Sequence, residues 1–127
     1  MHLACQNGHV EIVKQLLMND KVDPDARTAN KFTPLHLACQ NGHVETVKQL
    51  LMNDKVDPDA RQNDQATPLH LACGNGHVEI VKQLLMNDKV NRHAKTLFFI
   101  TPLFLAQIGG HLECVRAITD FQLIPLN

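Results

Sequence analysis

Residues 5–27 read CQNGHVEIVKQLLMNDKVDPDAR, and residues 39–61 repeat that string with Thr46 in place of Ile12. Self-similarity at a fixed period constrains a chain more than any local propensity, because every copy must fold alike and none is large enough to enclose a core by itself. Thr33, Thr67 and Thr101 each open a Thr-Pro-Leu triplet and lie 34 residues apart. The copies therefore run 33–66, 67–100 and 101–127. Counting back from His36 reaches His2, so Met1 stands where a Leu belongs and a first copy, 1–32, is expected to be truncated, without its Thr-Pro opening. A chain of 127 residues has room for one domain built from these units.

Each unit can be read from elementary chemistry. Thr33 can cap a helix by accepting from an orphan backbone N–H, and Pro34 suits the first helical position, where a missing N–H costs nothing. Asn41-Gly42 stops that helix after about two turns. In the segment that follows, Val44, Val47, Leu50 and Leu51 share one face and Glu45, Lys48 and Gln49 the other, which predicts a second, amphipathic helix with Glu45 at its positive end. Asp57-Pro58-Asp59 ends it, and the polar residues 61–65 predict a turn or hairpin leading to the next Thr-Pro. Such a pair must bury its apolar face on copies of itself. The expected rungs are Leu3/Leu37/Leu71/Leu105, Ala4/Ala38/Ala72/Ala106 and Val13/Val47/Val81/Val115, with the small Ala allowing close approach of neighbouring helices.

A period of 34 also fits a tetratricopeptide array, but that family leans on Trp and Tyr, and the chain has neither. It has Thr-Pro-Leu-His-Leu-Ala at 33–38 and 67–72, Thr-Pro-Leu-Phe-Leu-Ala at 101–106, and Gly-His-x-Glu at 42–45, 76–79 and 110–113. These motifs resemble the ankyrin repeat over essentially the whole chain. Two features depart from it: one extra residue per copy around Asn53-Asp54-Lys55-Val56, and Lys31, Gln65 and Phe99 where the family's hairpin glycine is usual. The resemblance implies an all-α fold, an α-solenoid of stacked helix-turn-helix repeats joined by hairpin-like loops. The copy at 101–127 diverges in nearly every framework position and carries Arg116, Thr119 and Asp120, as a terminal cap would, but has an apolar tail at Phe121, Leu123, Ile124 and Leu126.

Lys and Arg number 12 against 13 Asp and Glu, a formal charge of -1, so there is no broad basic surface for nucleic acid or acidic membranes. The run Leu97-Phe98-Phe99-Ile100 is far too short to span a bilayer, and residues 1–10 lack a signal pattern, so a cytoplasmic protein without membrane insertion is expected. Cys5, Cys39 and Cys73 fall one per copy. Equivalent atoms in packed layers lie roughly 8–10 Å apart, beyond the roughly 7 Å a disulfide tolerates, so reduced thiols are expected.

Eight histidines raise a zinc hypothesis, since His2 with Cys5, His36 with Cys39 and His70 with Cys73 are spaced to share a helix face. Two ligands per layer do not converge on one ion, and Phe104 and Gln107 break the pattern in the last copy, so no metal or other cofactor is expected. The resemblance implies instead that His36 and His70 bond the Thr opening their own repeat. His9, His43, His77 and His111 follow the helix-stopping glycines and are read as bonding backbone groups in adjoining loops. No nucleophile stands beside a base, and Asp54, Asp57 and Asp59 read as a solvated turn, so no enzyme activity is expected.

The copies differ most at Thr28-Ala29-Asn30-Lys31-Phe32, Gln62-Asn63-Asp64-Gln65-Ala66 and Thr96-Leu97-Phe98-Phe99-Ile100, which are expected at protruding tips where side chains can vary without unfolding the stack. Recent duplication of a gene segment accounts equally for near-identity elsewhere. The resemblance implies that a protein or peptide docks on the concave face of tips and first helices. Residue by residue that surface is Ala29, Asn30, Phe32, Gln40 and Asn41, then Asn63, Asp64, Ala66, Gly74 and Asn75, then Leu97, Phe98, Ile100 and Ile108. The apolar run 97–100 reads as a binding hot spot, a patch folded onto the last copy, or a surface covered by another part of a larger protein. Asn91-Arg92-His93 replaces Asp-Pro-Asp beside it, so a partner with apolar and acidic groups fits.

Leu3, Val10, Val13 and Leu16 are expected to lack a preceding neighbour, leaving an apolar end open to end-to-end self-association or to further repeats. Ile12, Thr46 and Ile80 are all expected to be buried, with the Thr46 hydroxyl bonding back to Gly42. Besides a binding module, two other functions stay open at this stage: a structural spacer within a longer array, and a metal or redox sensor built on the Cys and His rungs.

Overall fold

A computed structural model describes residues 1–123, with side chains through residue 120. The described residues form eight helices and no strand: α1 (His2–Gln6), α2 (Val10–Leu17), α3 (Pro34–Asn41), α4 (Val44–Leu51), α5 (Pro68–Gly74), α6 (Val78–Leu85), α7 (Pro102–Ile108) and α8 (Leu112–Leu123). The first helices of the copies, α1, α3, α5 and α7, pack side by side in one row. The second helices, α2, α4, α6 and α8, form the other row, each pair being joined through a tight turn.

The starts and stops follow the expected chemistry. Thr33 and Thr67 cap α3 and α5 through their side chains, and His36 and His70 complete a reciprocal capping box. Thr101 caps α7 in the same way by accepting from Phe104 N–H at 3.2 Å, but Phe104 has no ring nitrogen with which to close the box. Gly42 takes the left-handed conformation at φ 78°, which releases the chain into α4. Glu11, Glu45, Glu79 and Glu113 lie in the first turns of the second helices and pair with Lys14, Lys48, Lys82 and Arg116 one turn on, at 3.3, 3.2, 3.9 and 3.3 Å. All four pairs are exposed and contribute little stability. Around the extra residue of each copy, Asn53 Oδ1 accepts from Lys55 N–H, and the chain folds Val56 into the core.

The core runs as a ladder of Ala4, Ala38, Ala72 and Ala106, the thiols Cys5, Cys39 and Cys73, and Val13, Val47 and Val81. The expected Leu3/Leu37/Leu71/Leu105 rung is not part of it. Leu37, Leu71 and Leu105 are half-buried and Leu3 is 72% exposed, while Leu35 and Leu69 fill the interior. The reason is helical geometry: Leu37 shares its face with Gln40 and Asn41, three and four positions on, and that face looks away from the second helices. Val13 is fully buried rather than uncovered, and Val10 and Leu16 are half-buried. The residue of α2 that lacks cover is Ile12, 50% exposed where Thr46 and Ile80 are buried by the preceding copy. The apolar character expected of the tail at Phe121, Leu123, Ile124 and Leu126 concerns side chains outside the described residues.

Candidate partner-binding surface

Each hairpin is closed by the same pair of backbone bonds. Thr28 N–H donates to Phe32 O at 2.9 Å and Lys31 N–H to Thr28 O at 2.8 Å, with equivalents at 62–66 and 96–100. Lys31, Gln65 and Phe99 occupy the left-handed region at φ 67°, 66° and 62°, so the turn keeps the backbone that a glycine would favour even though the glycine is absent. The tips are therefore Ala29-Asn30, Asn63-Asp64 and Leu97-Phe98. They stand side by side, since Asn63 N–H donates to Asn30 O at 3.1 Å and Leu97 N–H to Asp64 O at 3.0 Å.

The five variable residues do not all stand clear of the stack. Thr28 Oγ1 accepts from Phe32 N–H at 3.1 Å and Thr96 Oγ1 from Ile100 N–H at 3.2 Å. In the middle copy Gln62 is buried and folds its longer side chain back, so that Oε1 accepts from Ala66 N–H at 3.1 Å and does the work of the threonine hydroxyl. Ala66, expected on the docking surface, is a correction: it is buried, and its carbonyl receives His36. Phe32 and Ile100 are half-buried, with the Phe32 ring edge-on to His36 at 5.6 Å between centroids.

The remaining surface residues of the sequence reading are exposed: Ala29, Asn30, Asn63, Asp64, Leu97 and Phe98 on the tips, and Gln40, Asn41, Gly74, Asn75 and Ile108 at the C-terminal ends of α3, α5 and α7. Asn41 and Asn75 each donate Nδ2–H to the carbonyl four residues back in their own helix, at 2.9 Å, which ties down the amide nitrogen and fixes where Oδ1 points. Sequence reasoning missed Leu37, Leu71 and Leu105 as members of this face. Their signal was available: Leu37 and Leu71 precede Asn41 and Asn75, and Leu105 precedes Ile108, by one helical turn.

None of α1, α3, α5 and α7 carries a charged residue. The hairpins carry Arg27, Lys31, Arg61 and Lys95 against one acid, Asp64. Arg27 Nη1–H donates to Arg61 O at 2.6 Å, and Arg61 Nη1–H to Lys95 O at 2.7 Å, so guanidinium groups bridge successive hairpins at their bases. The Asp-Pro-Asp loops are not simply solvated turns. Asp25 Oδ2 accepts from Asp57 N–H and Asp59 Oδ2 from Asn91 N–H, both at 2.8 Å, linking one copy to the next. Burial raises both carboxyls above their ordinary range, with Arg27 and Arg61 pulling the other way.

His2, His36, His43, His70, His77 and His111 are engaged as structural groups, whereas His9, expected to bond a backbone group, has no preceding copy to reach and makes no side-chain hydrogen bond among the described residues. Thr33 N–H donates to His36 Nδ1 at 3.1 Å, leaving Nε2 as the donor to Ala66 O at 3.0 Å. His70 repeats this with Thr67 and Ile100 O, and His2 Nε2 lies 2.7 Å from Ala26 O. The second set reaches backwards: His43 to Gln6 O at 2.8 Å, His77 to Gln40 O at 3.0 Å and His111 to Gly74 O at 3.2 Å, so the groups they bond are the ends of the preceding first helices. Cys5, Cys39, Cys73 and Cys114 are buried free thiols; burial pushes Cys5 up to about 11 and raises the other three as well. Thiolate chemistry is thereby disfavoured at every one of them. Among the described residues no three His, Cys, Asp or Glu side chains are grouped to hold a metal ion, and no helix is long and apolar enough to cross a membrane.

A comparison with protein families matches residues 1–96 to ankyrin repeats, in three copies. No curated protein matches the chain.

Proposed function

Because this chain belongs to the ankyrin repeat family, whose repeats are generally protein-interaction modules, we propose that it is a non-catalytic module that binds a protein or peptide on the concave face formed by the hairpin tips and the first helices. The observation that carries the reading is the charge-free floor of α1, α3, α5 and α7 beside exposed tips. Exposed uncharged side chains cost little to desolvate, and amide groups at Gln40, Asn41 and Asn75 offer hydrogen bonds to a peptide backbone. The surface is preformed, so little ordering entropy is lost on association. The contributing residues are those of the sequence reading without Ala66, with Leu37, Leu71 and Leu105 added.

Affinity capture with the intact chain and with a triple variant, Asn30→Ala, Asn63→Ala and Phe98→Ala, tests it. Proteins retained by the intact chain are expected to be lost from the variant. Identical sets from both would refute a tip-and-floor surface.

A second reading rests on Ile12, 50% exposed where Thr46 and Ile80 are buried, and on Leu3, 72% exposed where Leu37, Leu71 and Leu105 are half-buried. Ile12 lies on the face of α2 that matches the one α4 turns to the preceding copy at Thr46, which favours end-to-end pairing of two chains. Light scattering across a concentration series decides it: a monodisperse monomer at high concentration rules the pairing out.

A further inference from the structure

From Lys89 to Leu112 the chain contains no carboxylate, while it carries Lys89, Arg92 and Lys95. The same stretch holds the most apolar of the three hairpins, with Leu97, Phe98 and Phe99 at 57%, 75% and 80% exposure, and Ile108 is 65% exposed at the end of α7. Arg61 adds a cation from the neighbouring hairpin by placing its guanidinium 2.7 Å from Lys95 O. Apolar side chains and positive charge thus coincide at one end of the docking face. The other two tips, Ala29-Asn30 and Asn63-Asp64, present small and polar groups.

Resting on the concave-face reading, we propose that the third hairpin binds an acidic peptide segment of a partner protein, whose bulky apolar side chain packs on Leu97 and Phe98 while carboxylates flanking it lie against Lys95 and Arg61. Polarity fixes the direction of approach. Asp64 is bonded through its carbonyl to Leu97 N–H, so the carboxylates of the peptide lie on the Lys95 side of the apolar anchor and away from the second tip. Attraction between unlike charges at a rim of this kind steers encounter and sets partner choice, and the anchor supplies most of the affinity. An anionic membrane surface shares part of this chemistry but fits less well. The three tips stand in a row, and a flat bilayer meeting Leu97 and Phe98 would also meet the carboxylate of Asp64.

A random peptide library displayed on phage and selected on the full chain tests the proposal, with vesicles containing phosphatidylserine as a parallel probe. Enriched peptides are expected to combine at least one bulky apolar residue with an excess of Asp and Glu. A synthetic copy of one should bind about tenfold more weakly to Phe98→Ala, several-fold more weakly to Lys95→Glu, and more weakly to the unaltered chain as salt rises. Phe98 is exposed, so its removal leaves the fold intact, which far-UV circular dichroism verifies. Peptides without acidic bias that still depend on Phe98 overturn the charge assignment and leave the concave-face reading standing. Peptides indifferent to the tips and to Asn41 and Asn75, or no enrichment at all, overturn both. Vesicle binding that depends on Phe98, with no peptide retained, replaces the peptide by a lipid surface.

Discussion

The Nε2–H of His36 donates to the carbonyl of Ala66, 3.0 Å away and 30 residues further along the chain, so that a capping histidine of one copy is locked to the closing residue of its own hairpin. Its Nδ1 accepts from Thr33 N–H, which requires the neutral ring. Burial, with the nearby Arg27 and His70 adding to it, pushes His36 from the ordinary 6.5 down to about 4. The unfolded chain therefore takes up a proton between these two values that the folded chain refuses. Stability from this group is fully present above pH 6.5 and is lost as pH falls towards about 4. The loss amounts to roughly 3 kcal/mol for His36 at the low end of the window. His70, also lowered by burial, acts in the same direction. Asp25 and Asp59, raised by burial, act oppositely, adding stability as pH falls through their folded values. Urea midpoints measured from pH 7 to pH 4 should fall, most steeply below 6.5; a flat profile would show that the ring nitrogens are not held as described.

Much of this network was legible in the letters. Thr-Pro, Asn-Gly and the spacing of Val47, Leu50 and Leu51 specify helix starts, stops and faces through local chemistry, and the structure follows them. What was not legible depended on neighbouring copies. Ile12 and Ile80 are the same residue in equivalent strings, yet one is half exposed and the other is fully buried, because cover comes from the preceding layer. The Leu37 rung was misplaced since apolar character alone does not say which face of a short helix meets the second row. Gln62 was read as a free tip residue because nothing in its identity announces that its side chain would bend back to replace a threonine hydroxyl.

Gly42 and Gly74 respond to the same substitution in opposite ways. Gly42 sits at φ 78°, and a Cβ there would lie 2.8 Å from the His77 ring, so Ala strains the backbone and pushes His77 off Gln40 O. Gly42→Ala is expected to cost roughly 2 kcal/mol or more. Gly74 ends α5 without a left-handed backbone, and an added Cβ meets only Leu105 Cδ1 at 4.0 Å, an ordinary contact. Gly74→Ala should stabilise by about 0.5 kcal/mol through reduced freedom of the unfolded chain. Denaturant midpoints of the two variants should move to opposite sides of the parent.

Lys31 and Gln65 hold left-handed backbone that costs a residue with a Cβ about 1–2 kcal/mol. Glycine removes that cost but adds freedom to the unfolded state, which offsets part of the gain. Lys31→Gly and Gln65→Gly are each expected to raise stability by about 0.5–1 kcal/mol, with near additivity because they lie in separate hairpins. Thermal melts of the single and double variants check this. A fall in midpoint for both singles would mean that the turns do not need positive φ.

Thr46 is 1% exposed in the place that Ile80 fills in the next copy, and it borders a groove lined by Val10, Gly42 and Val44. The back-bond expected from its hydroxyl to Gly42 is not made among the described residues, in contrast to Thr119, whose hydroxyl donates to Val115 O at 2.9 Å. The equivalent site in the next copy holds the larger, wholly apolar Ile80 fully buried, so Thr46 forgoes apolar contact there without a helix back-bond in return. Thr46→Ile is expected to stabilise by about 0.5–2 kcal/mol. The reverse exchange at the first copy, Ile12→Thr, should change stability by less than about 0.5 kcal/mol, because half of that side chain already faces solvent. Equilibrium unfolding of the two variants separates burial from sequence identity: equal and opposite shifts would show that position 12 is covered as position 46 is, and that the layers at these two helices are packed alike.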